Sequence, residues 1–154
     1  MKKFRSRWEL LQRLSAQRRK LAELDVLRAR TALSETSGKE LAIQQELQAN
    51  ADVFANLTAE PVSAHYLVAC RLVTEQCTEQ LAALHTERES RQQELHKLLT
   101  AWRQRSVEVD QTDQLTQRER QVYDAEQLAS EQIEVDEHSM ALHRNRKPRS
   151  EEMS

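Results

Sequence analysis

The residues that could do chemistry are few and scattered. His65, His85 and His96 are spread along the second half of the chain. His138 follows Glu134 by four residues and Glu137 by one, and His143 comes soon after. A metal site there is the weaker reading, and solvated surface the stronger one. Cys70 and Cys77 stand one heptad apart. On a helix that is about 10 Å, too far for a disulfide within the chain, and the spacing is not that of a zinc knuckle. They read as two small apolar residues of a packing seam. No phosphate loop, GxGxxG, HExxH or CxxC occurs, and the single glycine could not build the first two. Catalysis needs groups that converge in a shielded pocket. A two-stranded coil has no interior wide enough for one, so the chain reads as a non-enzyme with no cofactor and no metal.

Charge is the other chemical resource, and it is uneven. Residues 1–30 hold ten Lys/Arg and three Asp/Glu, whereas residues 107–137 hold two Arg and ten Asp/Glu. The first stretch would attract anions and the second cations. The formal net charge of −2 argues against a dedicated nucleic-acid binder. Phe4, Trp8, Leu11, Leu14 and Leu21 make the basic start amphipathic, which leaves nucleic acid or an acidic membrane surface open as ligands. The preferred reading is a helix whose charged flanks face solvent or the chain's own acidic second half. Docking on an acidic protein surface comes next.

The elements that must carry these residues are long helices. The chain has 154 residues with one Gly and two Pro, 31% charged residues and 4% aromatics. Ordinary chains carry about 7% Gly and about 5% Pro, so few turns can be made here. A first helix is expected over about 4–57. Its early stripe is Leu10, Leu14, Leu21 and Leu24. After a drift it continues as Val26, Ala29, Leu33, Ile43, Leu47, Phe54 and Leu57, at coiled-coil spacing. Ser34-Glu35-Thr36-Ser37-Gly38 could break it, since Gly inside a helix costs about 1 kcal/mol relative to Ala. The 4-3 count nevertheless passes from Leu33 through Glu40 to Ile43 without a residue left over, which favours one continuous helix, bent or straight here, over a three-helix arrangement. The turn falls at about 58–61, where Pro61 disfavours helix at Glu60, and Ser63 or Thr58 can cap the next helix.

That second helix is expected over about 62–143. Its seam is Leu67, Cys70, Thr74, Cys77, Leu81, Leu84, Leu95, Leu98, Trp102 and Val109. A phase shift near Leu115 would carry it on through Val122, Ala129, Ile133 and Met140. Arg88 and Arg91 interrupt it. With a fold-back at 59–61 they lie opposite Ala32 and Ala29, small residues that let the long stems snorkel outward. The expected fold is all-α: a single antiparallel coiled-coil hairpin over 1–145 with a disordered tail over 146–154. Residue 3 would sit near residue 117, so helix two would overhang helix one by some 25 residues. That overhang is marginal alone in water and an obvious place for a partner to dock. No run approaches the roughly 18 apolar residues of a membrane span. The basic start has no apolar region behind it to make a signal peptide, so a cytoplasmic protein is expected.

The two ends resemble a known family. Lys3-Phe4-Arg5-Ser6-Arg7-Trp8-Glu9-Leu10-Leu11-Gln12-Arg13-Leu14 is similar to the opening of the FliJ family of flagellar type III export proteins. Trp102-Arg103, Leu115, Arg118 and Asp136-Glu137 fall at spacings like those of its enterobacterial members, as do the turn near residue 60 and the tail Arg146-Lys147-Pro148. Residues 35–95 match little in identity. The resemblance implies a central stalk of the export apparatus, like that of rotary ATPases. Its terminal end would sit in the ring of the flagellar export ATPase, with Arg5, Arg7, Trp8, Leu11, Arg118, Glu119 and Asp136 at that end. The hairpin side would reach the membrane export gate near Tyr66, Val73 and Cys77, where the aromatic residues common in relatives are mostly missing. The family also implies cycling of export chaperones, a monomer before assembly, and peripheral association with the inner face of the cell membrane. An injectisome stalk of the YscO type, an unrelated coiled-coil scaffold, and nucleic-acid binding through residues 1–30 are the competing readings.

Overall fold

The structure is a computed structural model and describes residues 3–57, 61 and 63–146. It holds two helices, α1 (Glu9–Leu57) and α2 (Ala64–Arg146), packed against each other as a two-helix hairpin. Backbone contacts gather into two units, Gln17–Ser106 and Met1–Ala16 with Val107–Ser154. Most of the expected turn at 58–61, and the tail beyond Arg146, lie outside the described residues.

Helix α1 starts at Glu9 rather than near Phe4, because Ser6 caps it. The Ser6 hydroxyl accepts from the Trp8 N–H at 3.1 Å, and its carbonyl accepts from the Glu9 N–H at 3.3 Å. These bonds satisfy donors that a helix start leaves without partners, and Glu9 adds a carboxylate at the positive end of the helix dipole. No break occurs at Gly38, whose φ is not positive. Ser63 precedes α2, and its carbonyl accepts from the Tyr66 N–H at 3.1 Å. The last turn of α2 carries His143, Arg144 and Arg146, cations at the negative end of the helix.

In the unit spanning 17–106, the inward positions of α1 are Ala22, Val26, Ala29, Leu33, Thr36, Glu40, Ile43, Leu47 and Asn50. The steps are four and three throughout, the signature of a two-stranded seam. Helix α2 answers with Cys70, Cys77, Leu81, Leu84, Arg88, Arg91, Leu95, Leu98 and Trp102. Val26, Cys70 and Cys77 are buried, and Thr36 more deeply still. A hydroxyl in such a place needs a partner. Thr36 donates to the Ala32 carbonyl one turn back, so it needs none from α2. Near the turn, Asn50 donates to the Cys70 carbonyl at 3.0 Å and to the Thr74 hydroxyl at 2.8 Å.

Arg88 does not lie opposite Ala32. Its guanidinium meets the Glu40 carboxylate at 3.0 Å, eight residues further along α1. The helices fold back a few residues later than a turn centred on 59–61 would have them. Arg91 does share a groove with Ala29 and Ala32, and pairs with Glu87 at 2.8 Å on its own helix.

In the other unit the same 4-3 positions are Trp8 just before α1, Gln12 and Ser15 on it, and Val109, Thr112, Thr116, Glu119 and Tyr123 on α2. Among the described residues of this seam, only Val109 is a buried aliphatic. Polar pairs do much of the joining: Ser15 and Thr112 hydroxyls lie 3.0 Å apart, and Gln12 donates to Asp113 at 2.7 Å. Each hydroxyl also has a carbonyl of its own helix, Gln12 for Ser15 and Val109 for Thr112. Two expectations fail. The leucine stripe is not part of the seam in either unit: Leu10 and Leu14 in one, Leu21 and Leu24 in the other, are exposed. The phase shift near Leu115 does not occur either, and Val122 stays outside while Tyr123 takes the inward place.

Candidate functional site: the terminal end and its overhang

The start of α1 and the later part of α2 converge on Glu119. Ser6, held as the helix cap, donates its hydroxyl proton to one Glu119 oxygen. Arg7 pairs with the other at 3.3 Å and lies 5.0 Å from the Trp8 ring centroid, within cation–π reach. Just beyond, the Phe4 and Tyr123 rings meet at 5.3 Å with planes tilted by 51°, an arrangement aromatic pairs favour. Glu119 thereby gathers a hydroxyl on one oxygen and a guanidinium on the other. Arg7 remains mostly exposed, so this pair contributes little to stability.

Of the residues that the resemblance puts at this end, Arg7, Trp8 and Glu119 are brought together. Arg5 and Arg118 are exposed close by in sequence, and Leu11 is exposed on α1. Asp136 is apart from them, seventeen residues past Glu119 on the same helix, or about 25 Å along its axis. Sequence reasoning missed the aromatic pair, the capping serine and the Ser15–Thr112 layer. The 4-3 count run backward from Val26 lands on Ser15, Gln12 and Trp8. Forward from Val109 it lands on Thr112, Thr116, Glu119 and Tyr123. The signal was therefore present, but it was carried by polar residues that a search for leucines passes over.

Past Tyr123, α2 runs on through residues 124–146, and every residue there is exposed. The chain is paired further along α2 than expected, to Tyr123 and not merely to about 117, so the overhang is slightly shorter. It carries Leu128, Ile133, Val135, Met140 and Leu142, each more than half exposed. His138 and His143 are on its surface, and among the described residues no group of three or more His, Cys, Asp or Glu gathers to hold a metal.

Nearer the turn, Tyr66 is exposed, Val73 half-buried, and Cys77 only 3% exposed in the seam. Burial, and then the Glu46 carboxylate, push the Cys77 thiol above its ordinary value of 9.0. Cys70 and Cys77 are both free thiols. Ala51, Phe54, Leu67 and Val68, with Asn50 and Arg71 at hand, line an open groove of about 760 Å³. No described helix is long and apolar enough to cross a membrane. No protein-family model matches the chain, and the searches of curated proteins and of solved structures likewise return no match.

Proposed function

We propose that this chain is a non-enzymatic stalk protein of the flagellar type III export apparatus. Its terminal end docks in the ring of the export ATPase, and its hairpin side reaches the membrane export gate and takes part in cycling export chaperones. One observation carries the reading: residues 4–8 and Glu119–Tyr123 are tied into one end, from which a helix with exposed apolar residues continues alone to Arg146. A hairpin end that offers unspent apolar surface is suited to a helix-lined pore, because docking buries area that folding did not. The basic and aromatic opening, with Trp102, Leu115, Arg118 and Asp136-Glu137, supports the assignment to FliJ-like proteins. The groove beside Phe54 and Leu67 offers the hairpin side an apolar surface for the gate or a chaperone.

The test is direct. Purified protein mixed with the hexameric export ATPase should co-elute with it and promote its assembly. Ile133→Asp and Trp8→Ala should each weaken that binding. If the unaltered protein neither binds the ATPase nor changes its assembly, the reading fails.

A further inference from the structure

We propose that two copies of this chain pair head to head, the acidic overhang of each lying along the basic outer face of the other's α1 start. The overhang is the first half of the argument. Beyond Tyr123 it has no α1 opposite it, and Ile133 and Met140 are 59% and 64% exposed. Val122, Ala129, Ile133 and Met140 follow one another at helical spacing on one side. A lone helix with such a stripe is marginal in water, so a covering surface stabilises it.

The charge on the overhang selects the cover. From 121 to 143 the chain has six Asp/Glu and no Lys or Arg. Overhang against overhang would bring like charges together, which destabilises. The α1 start has the opposite character. Leu10 is 79% exposed, and Leu11 and Leu14 are exposed beside it. Lys3, Arg5 and Arg7 stand just before the helix and Arg13 on it, against Glu9 as the one acid between residues 3 and 16. Arg13 pairs with Glu9 at 2.6 Å and Arg7 with Glu119 at 3.3 Å, and both stay 76% exposed. Apolar residues beside positive charge at the start of one copy's α1 thus match apolar residues among negative charge on the other copy's overhang.

Both surfaces belong to the same unit, 1–16 with 107–154, so their geometry is fixed within it. The overhang runs on past the start of α1. A two-fold axis then sets each overhang beside the other copy's α1, giving a closed, isologous contact with both halves satisfied twice. The pairing uses the overhang that docking in an ATPase ring would also use, so it describes the chain away from the ring and departs from the monomer that the family resemblance implies. Because it needs no ATPase, it is tested separately.

The test uses the full chain alone, by analytical ultracentrifugation from low micromolar to near-millimolar concentration. A reversible dimer is expected, and raising the salt should weaken it roughly tenfold or more, as exposed opposite charges require. Ile133→Asp changes an exposed residue and should abolish association while leaving helical circular dichroism unchanged. A charge exchange then isolates the contact. Glu131→Lys with Glu134→Lys, and Arg5→Glu with Arg13→Glu, should each self-associate poorly, whereas a mixture of the two variants should restore the parental affinity. A monomeric mass at all concentrations, a dimer indifferent to Ile133→Asp, or a mixture that pairs no better than its components would each overturn the proposal.

Discussion

The Glu40–Arg88 pair is asymmetric, and that asymmetry can be measured. The Glu40 side chain is 12% exposed and that of Arg88 37%, with 3.0 Å between nitrogen and oxygen. Removing one partner of a fully buried pair costs about 3–5 kcal/mol because the other charge is left uncompensated. Arg88 is more than a third exposed, so solvent screening brings the effect of Arg88→Ala down to about 2 kcal/mol. Glu40→Ala strands the better solvated partner. The Arg88 stem can turn outward, and a terminal nitrogen already lies 3.1 Å from His85 Nδ1. That variant should cost less than about 1 kcal/mol. Replacing both, Glu40→Leu with Arg88→Met, continues the apolar 4-3 pattern and should leave stability unchanged or raise it by about 1 kcal/mol. Urea unfolding at neutral pH followed by circular dichroism gives all three values, provided the slope m is constant across the set. If Glu40→Ala costs as much as Arg88→Ala or more, the carboxylate is not the stranded member and the reasoning is wrong.

Gly38 is helical, and a methyl group added there would meet nothing within 4 Å. Gly38→Ala should therefore stabilise the chain by about 0.5–1 kcal/mol, read as a higher urea midpoint. The Ser15 and Thr112 hydroxyls each keep an acceptor on their own helix. Ser15→Ala with Thr112→Val should then shift stability by less than about 1 kcal/mol, and a larger loss would show that the bond between the helices matters more than its alternatives allow. Cys77, with its thiol pushed up from 9.0, should react slowly with a thiol reagent in the folded chain at neutral pH and quickly in urea. The folded state keeps a proton that the unfolded chain gives up, so its contribution to stability is present below 9.0 and falls as the pH rises above it. Cys77→Ala should flatten that alkaline decline in the unfolding midpoint.

The helices, the continuity through Gly38 and the central seam were legible because each is a local property. Scarce Gly and Pro, and a 4-3 count through Leu33, Glu40, Ile43 and Leu47, are visible without knowing what lies opposite. The pairing was not legible in the same way. Placing Arg88 against Ala32 rested on the centre of the turn, and an error of a few residues there moves every facing pair. Nothing local to Glu40 announces an arginine across the seam. A charged residue at an inward position is itself the clue, since it needs a partner of opposite sign within reach.

The leucines explain why the terminal seam was misread. Leu10, Leu14, Leu21 and Leu24 repeat at seven- and three- to four-residue spacing, as a seam would, and Leu115, Val122, Ala129, Ile133 and Met140 do much the same on α2. Taking apolar residues as inward forces a drift on the first helix and a phase shift on the second. The register of Val26 and Val109 instead runs straight back and straight on, although it must pass through Ser15, Gln12, Thr112 and Glu119. Cooperative packing of the 4-3 positions over many turns holds this phase, because a helix cannot change face without unwinding. The polar residues that this brings inward are ones that find partners there: Ser15 meets Thr112, and Glu119 receives Ser6 and Arg7. The apolar residues it leaves out form stripes on the outer sides of α1 and of the overhang. Apolar periodicity out of phase with the seam costs solvation and adds nothing to the hairpin's own core. Such stripes are the surfaces that the proposed pairing of two copies would cover.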